Sequence, residues 1–508
     1  MINKNLEDYF VISEKTGKKY FPTIGLEIHA ELNTKSKMFC TCENNPFVVE
    51  PNTNICEVCM AHPGTLPVVN REAVKSVLKV SLAINGDMAD FSEFDRKNYF
   101  YPDIPKAYQI SQFKYPLNSN GELAGVKITR IHLEEDTASS SHKGDISLVD
   151  FNRAGVPLME LVTEPVVYDA NTAMNFAKEL QLLLRTLGVS HANLEKGEMR
   201  IEANVSISED GNFEMLGGDF SKLGVKTEVK NLNSFKIVGA AIDFEIKRQM
   251  KALESGEEIV QETRGWDENK SATFSQRKKE NADDYRYFPD PDIPKYKLSE
   301  IEEFSEENLR KELPELPWEK RERYLSNFGL LPDSVEFFLQ NPKYDNIFSK
   351  VTESLKDKKS YKLASNYIST VIAGLEKNKV NPKGREGALG YEEGKFENFT
   401  AENIVDLISM INDGELSSRG AKDVLGIIYQ EKGDTKKIAE EKGFIQKSDP
   451  EELKKILEKI LEENPTQVEG YKNGEEKLLQ FFVGQGMKAT KGSANPGLLT
   501  QLLKELLK

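Results

Sequence analysis

Residues 24–32 read IGLEIHAEL. Alternation of apolar and polar side chains over so short a run specifies a half-buried β-strand. Glu27, His29 and Glu31 then share one face, while Leu26, Ile28, Ala30 and Leu32 share the other. The apolar face secures the strand in a sheet. A row of acid, imidazole and acid on the opposite face is ready to hold a hard divalent cation. The stretch therefore predicts metal-assisted chemistry on a sheet floor.

The same alternation recurs outward from this strand. In KITRIHLEEDT (127–137), Arg130, His132 and Glu134 share a face, and Glu135 falls with Ile131 and Leu133 unless the strand ends or bulges there. In MRIEANVSI (199–207), Met199, Ile201, Ala203, Val205 and Ile207 face a core, leaving Arg200, Glu202, Asn204 and Ser206 opposite. In KTEVKNLNSF (226–235), Glu228 shares a face with Lys226 and Lys230. The segment SLVDFNRAGVPLMELV (147–162) carries Asn152 and Arg153 before a Gly-Val-Pro break, a loop suited to presenting a guanidinium to phosphate or carboxylate. Each face taken alone reads first as a solvated sheet surface, which antiparallel sheets commonly have. Several glutamates with two histidines and two arginines suit Mg²⁺ and phosphoryl transfer, in which positioning and charge neutralisation do most of the catalysis. No Walker A sequence, kinase glycine loop, Ser-His-Asp or Cys-His arrangement occurs.

Charge and length narrow the class. A chain of 508 residues exceeds one hydrophobic core, and about three domains are expected. The net charge of −15 argues against a nonspecific nucleic-acid binder held by phosphate contacts, but not against a nucleic-acid substrate recognised by shape and local patches. No run is apolar enough to span a membrane, and residues 1–20 lack the apolar core of a signal peptide. A cytosolic protein with no membrane partner is expected.

Residues 21–294 read as an α+β domain dominated by antiparallel sheet, with helices at AMNFAKELQLLLRTLG (173–188) and FKIVGAAIDFEIKRQMKALESG (235–256), the latter stopped by Gly256. After PDPDIP (289–294) a helical domain runs to about 396, closing in the linker-like NPKGREGALGYEEGKFEN (381–398). Residues 397–508 form a helical tail, from the i, i+3, i+4 spacing in TAENIVDLISMINDG, DPEELKKILEKILEEN and NPGLLTQLLKELLK.

All four cysteines lie within twenty residues: Cys40 and Cys42 in CTC, Cys56 and Cys59 in CEVC. Two close pairs fit a four-thiolate zinc site that staples the polar loop ENNPFVVEPNTN (43–54). Disulfides are the alternative, which a reducing cytosol disfavours. Such a site is closed and structural, with no coordination position left for catalysis.

At these motifs the chain resembles the GatB family of the aspartyl/glutamyl-tRNA amidotransferases. The matching stretches are IGLEIHAELNTKSKMFC (24–40), PGTLPVVNREAV (63–74), FDRKNYFYPDIPKAYQISQ (94–112), IHLEEDT (131–137), VDFNRAGVPLMELVTEP (149–165), EVKNLNSFKIV (228–238), QETRGWDE (261–268), DDYRYFPDPDIP (283–294) and FFVGQGMKATKGSANPGLLTQLLKELL (481–507). Residues 1–20 lie outside the pattern as an N-terminal extension. The resemblance implies a two-step reaction on misacylated Glu-tRNA(Gln) or Asp-tRNA(Asn). ATP phosphorylates the side-chain carboxylate, and ammonia from a separate amidase subunit then displaces phosphate, in a heterotrimer completed by a small third subunit.

The resemblance further implies Glu27, His29, Glu135, Glu202 and Glu228 as catalytic magnesium ligands. The acidic position of MRIEAN is more often Asp in the family, so Glu202, one methylene longer, coordinates directly or through water. The Glu135 assignment requires a strand end or bulge near Glu134. Asn152, Arg153, Arg200, Lys230 and Asn231 are the implied ATP or substrate contacts. Tyr285, Arg286 and Tyr287 interleave rings and a cation suited to stacking on an exposed acceptor end, or else pack onto the sheet. Lys488 and Lys491 are the implied tail contacts to tRNA phosphates, or else lie in a solvated turn. Two rivals remain at this point: a noncatalytic tRNA-binding scaffold, and a self-sufficient ligase using free ammonia.

Overall fold

The computed structural model describes residues 5–47, 50–278, 282–379, 395–446, 450–490 and 494–507. The chain forms two compact units, residues 1–317 and 318–508.

The first unit is built on an eleven-stranded sheet. Its strands and those of a smaller sheet are, in chain order, β1 (Val11–Ile12), β2 (Lys19–Glu31), β3 (Asp95–Asn98), β4 (Tyr108–Ser111), β5 (Val126–Glu135), β6 (Pro157–Thr163), β7 (Met199–Ser208), β8 (Thr227–Lys230), β9 (Glu262–Asp267) and β10 (Ala272–Lys278). The main sheet runs β10-β9-β8-β7-β2-β6-β5 and continues through the short strands Asn118–Ser119 and Asp87–Met88. β3, β4 and Phe288–Pro289 make the smaller three-stranded sheet. The strand expected at 24–32 begins earlier, at Lys19, because β1 from the N-terminal extension pairs with its first residues.

Helices α1 (Arg71–Ala83), α2 (Ala170–Thr186) and α3 (Phe235–Ser255) cover the apolar side. Leu26, Ile28 and Ala30 of β2 and Ile201, Ala203 and Val205 of β7 are buried, as are Val238, Ala241 and Ile242 of α3. Each larger side chain so buried contributes about 1.5–3 kcal/mol. Ser234 caps α3 by accepting from Ile237 N, and Gly256 ends it at φ 75°, a left-handed conformation that glycine adopts without a Cβ clash. The neighbouring strands of the main sheet are antiparallel except β8 and β9, which run parallel because α3 carries the chain back across the sheet between them. The first unit extends past residue 294: Tyr296–Lys297 pairs with Phe91–Ser92, and helix Glu306–Lys311 lies against α1.

The second unit is helical. It contains α4 (Pro332–Gln340), α5 (Pro342–Ser354), α6 (Lys358–Asn366), α7 (Ala401–Asn412), α8 (Ser418–Glu431), α9 (Pro450–Glu463), α10 (Leu478–Ala489) and α11 (Pro496–Leu506), with shorter turns between. The three tail helices read from the sequence are α7, α9 and α11. Leu453, Leu457, Phe482, Leu499 and Leu503 form the core joining α9, α10 and α11. Among the described residues no helix is long and apolar enough to cross a membrane.

Candidate active site

Strand register assembles the polar floor. Glu202 stands opposite Glu27, Arg200 and Glu160 stand opposite His29 on its two sides, His132 opposite Glu160, and Glu228 opposite Asn204. Cross-strand partners share a face, so five adjacent strands direct these side chains to one side of the sheet. Ligand atoms of Glu27, Glu202 and Glu228 lie within 4.8 Å of one another, as do those of Glu27, His29 and Glu160, and those of His132, Glu134 and Glu160. His29 Nε2 is 3.4 Å from Glu160, 3.6 Å from Glu134 and 3.8 Å from Glu27.

The crowding shows in the proton affinities. Burial pushes the Glu27 carboxyl up to about 7, reinforced by the charges of Glu160 and Glu202 and opposed by His29 and Lys230. Burial pulls His29 down, but its hydrogen bond to Glu160 and the charges of Glu160, Glu134 and Glu27 outweigh it and hold the imidazole at about 9. Burial raises Glu160, yet His132 and His29 together keep it well below the usual carboxylate range. An imidazole so easily protonated and a carboxyl so reluctant to ionise mark a place where negative charge exceeds its counter-charge. A divalent cation on these oxygens relieves that excess. Arg130 Nε, His132 Nδ1 and Arg200 Nε are buried on the same floor without hydrogen-bond partners among the described residues, donors or acceptors that a polar ligand would complete.

The expected site residues fall into three groups. Glu27, His29, Glu202 and Glu228 are brought together. Glu135 is not. β5 has its register irregularity between Ile128 and Arg130 and runs in register from Arg130 to its end at Glu135, which pairs with Pro157, so the strand end comes too late to turn Glu135 and alternation directs it away from the floor. Its carboxylate accepts from Ile110 N at 2.9 Å and Lys106 Nζ at 2.7 Å, beside a cavity of about 290 Å³ that Cys40, Cys59 and His62 also line. Glu134 occupies the position beside His29 instead.

Among the expected anion contacts, Lys230 reaches both oxygens of Glu202 and lies 3.7 Å from Glu228. Arg200 pairs with Asp136, while Arg153 donates to the Thr137 and Ala138 carbonyls at 3.0 Å each. Glu31, on the same side, is raised to about 8, by burial first and then by Asp136, against the pull of Arg200 and Arg153. Asn231 is exposed in the turn after β8 at φ 64°. Asn152 is a correction. It is fully buried, its Oδ1 accepting from Asn54 N at 2.8 Å and its Nδ2 donating to Glu50 O at 2.7 Å. Both ends of the amide are spent on the cysteine loop, so it has no end to offer a phosphate. Asn152→Ala therefore destabilises the chain by about 1–3 kcal/mol, the cost of a buried donor and acceptor left unmatched. A urea titration reads this as a lowered midpoint with the KM for ATP unchanged; a raised KM at an unchanged midpoint restores the substrate contact.

Three residues that matter here escaped the sequence reading. Glu160 is the lone charged residue in a mostly apolar strand, the signal by which it could have been found. Asp136 is buried and holds Arg200 and Arg153. Lys97 on β3 lies 5.1 Å from the Tyr285 ring centre and 5.9 Å from that of Tyr99. Burial opposes its charge, but Glu134, Tyr287, Glu160 and Tyr99 together hold its ammonium well above the ordinary lysine range. Tyr287 stacks on Phe113 at 4.3 Å and Tyr285 packs against Tyr99, so these half-buried rings form a wall around Lys97, whereas Arg286 is exposed. In the second unit Lys488 is exposed in the last turn of α10, not in an inter-helix turn. Lys491 lies outside the described residues.

The four cysteines converge. Their sulfurs lie within 4.8 Å of one another, and Cys56 and Cys59 are 3.9 Å apart. A disulfide requires about 2.05 Å, whereas thiolates on a tetrahedral metal at about 2.3 Å stand about 3.8 Å apart. None of the four is disulfide-bonded. The cluster therefore fits a metal.

Residues 22–303 match the family described as GatB/GatE catalytic domain, and residues 346–507 match the GatB domain. Proteins named as the B subunit of aspartyl/glutamyl-tRNA(Asn/Gln) amidotransferase from Persephonella marina and from Caldanaerobacter subterraneus subsp. tengcongensis are 42% and 44% identical over 96% of this chain and 100% and 99% of their own length. The Thermotoga maritima protein of the same name is 40% identical over 96% of this chain and 99% of its own. The matches run across the sheet floor, the cysteine loop and the helical tail, and the chain belongs to the GatB family of the aspartyl/glutamyl-tRNA amidotransferases.

Proposed function

We propose that the sheet floor activates the side-chain carboxylate of glutamate or aspartate esterified to tRNA, using ATP, and that ammonia delivered by a partner amidase completes the amide. The observation that supports this reading best is the face shared by five strands, on which three overlapping sets of carboxylate and imidazole ligands converge. A carboxylate oxygen is a poor leaving group at neutral pH. Its attack on the γ-phosphorus breaks the bond to ADP and gives an acyl phosphate, and nitrogen then attacks the acyl carbon as phosphate departs with the C–O bond.

Glu27, Glu202, Glu228, His29 and Glu160 would hold magnesium, with Glu134 and His132 beside them. When bound, the ion supplies charge neutralisation for the phosphates. Lys97, half-buried beside the Tyr99 and Tyr285 rings and kept charged by Glu134 and Glu160, supplies a positive charge at the edge of the same floor. Arg200 and Arg153, held by Asp136, frame the other end. Tyr285 and Tyr287 offer ring faces to the unpaired acceptor end of tRNA, and Lys488 and Lys491 meet phosphates of its body. The four-cysteine cluster carries zinc as a structural staple, and the chain works in the cytosol as part of a heterotrimer with the amidase and a small third subunit. The noncatalytic scaffold is the reading that membership in this family disfavours.

The test is release of ATP γ-phosphate by the chain reconstituted with its partner subunits, with and without Glu-tRNA(Gln). Release is expected to depend on the misacylated tRNA; release independent of it overturns the reading. Lys97→Met is expected to lower kcat/KM for that release by about 10²-fold, the scale of removing one preorganised electrostatic contact. Unaltered kcat/KM removes Lys97 from the site.

A further inference from the structure

Lys37 has no exposed surface. Its ammonium donates to the Asn54 carbonyl at 3.0 Å and the Phe151 carbonyl at 3.4 Å, and lies 3.9 Å from the Cys59 sulfur. Among the described residues no carboxylate forms an ion pair with it. A buried ammonium is expensive unless an anion shares its enclosure. Carbonyls supply dipoles, and among the described residues the one acidic group in contact with the ammonium is Cys59, whose sulfur a bound metal would hold as thiolate.

The charge arithmetic then discriminates between the fates of the four cysteines. Two disulfides are neutral and leave Lys37 without a counter-ion. Four thiolates on a divalent metal leave two net negative charges beside the buried ammonium. One adjacent ammonium halves that excess.

The surroundings are shaped for this contact. Lys37 N donates to Cys42 O at 2.9 Å, and Met38 N donates to Gly155 O at 2.7 Å. Gly155 adopts φ 85°, and a Cβ there would stand 3.6 Å from both the Cys59 Cβ and the Lys37 Cδ. The left-handed turn closes over lysine and sulfur together.

We infer that Lys37 is the counter-charge and positioning residue of the four-cysteine metal site, binding the metal-loaded loop to the turn at 151–155. The inference rests on the reading that this cluster holds a divalent metal. It goes beyond that reading by assigning a residue outside the ligand set the task of retaining the metal. Because the same turn leads into Arg153 and β6, metal retention and the placement of Arg153 are mechanically joined.

The experiment uses the full chain loaded with zinc and its Lys37→Met variant. Bound metal is counted, and its transfer to a chromophoric chelator is timed. K37M is expected to release zinc at least about tenfold faster, the scale on which residues contacting ligands tune metal affinity. The metal-free variant is expected to melt no lower than its metal-free parent, since without the anionic cluster the buried ammonium has no counter-charge to lose. Equal release rates overturn the assignment, and so does an equal loss of melting temperature in loaded and metal-free forms, which signals a purely packing role. Should K37M not fold, amine labelling of the unaltered chain replaces it: Lys37 is expected to be protected when loaded and labelled at least about tenfold faster once stripped. Metal-independent labelling overturns the proposal. A purified chain that binds no divalent metal is a separate outcome: it overturns the metal reading, and this inference with it.

Discussion

Glu27→Gln is expected to reduce tRNA-dependent γ-phosphate release by at least about 10²-fold while leaving the fold intact. Glu27 belongs to two of the three ligand sets on the floor, so its loss weakens every arrangement that uses the β2 carboxylate. Glutamine keeps the volume and one acceptor oxygen but carries no charge to neutralise a cation. The sign of the stability effect follows from the raised carboxyl. With a folded value of about 7 against an ordinary 4.5, Glu27 costs stability progressively as pH rises from 4.5 and in full above about 7, because the unfolded chain releases that proton more readily. The metal-free variant should therefore melt no lower than its parent at pH 8. The same proton competes with the metal. Magnesium affinity of the parent should fall as pH drops below about 7, and that dependence should flatten in the variant. Calorimetric titrations at several pH values check this. Catalysis indifferent to the substitution removes Glu27 from the site and returns the scaffold reading to first place.

Glu160→Gln has the second large effect, and it acts on stability as well as chemistry. Glu160 is buried between His29 and His132, at 3.4 and 3.3 Å, with Arg130 at 3.8 Å. Removing one partner from such a buried pair costs about 3–5 kcal/mol. Two windows follow from the shifts. The depressed Glu160 carboxyl stabilises the fold above the ordinary carboxylate range, a contribution lost as pH falls through its folded value. The raised His29 stabilises the fold fully below its ordinary 6.5, and that contribution fades as pH climbs through about 9. Urea titrations of the metal-free protein should show the variant weakest relative to its parent between these limits, with the gap closing above pH 9. A gap that does not vary with pH would mean that packing, not the buried charges, is what Glu160 contributes.

The two substitutions separate roles that the sequence leaves entangled. One removes a ligand from a place already short of counter-charge. The other removes the anion that does most to keep the His29 imidazole protonated in the metal-free protein.

How much of this was legible beforehand follows from the range over which each signal acts. Alternation within a strand is set by the backbone itself, so IGLEIHAEL, MRIEANVSI and RIHLEE disclosed which side chains share a face before any partner was known. The same rule placed Glu135 on the far side, and the structure agrees with the alternation over the ligand assignment. Helix spacing, the Ser234 and Gly256 boundaries and the convergence of four closely spaced cysteines were equally local, as was the change from sheet to helix along the chain. What alternation does not carry is which strands lie side by side. That Glu160 sits between two histidines depends on β6 lying between β2 and β5, and its pairing with His29 joins positions 131 apart in the chain. Lys97 and the tyrosines reach the floor from a separate small sheet whose docking no local pattern encodes. Asn152 and Lys37 look like surface residues of polar loops, and only the folding of one loop onto the other encloses them. Local backbone geometry thus determined the faces of the strands, while long-range pairing decided which of their charges meet.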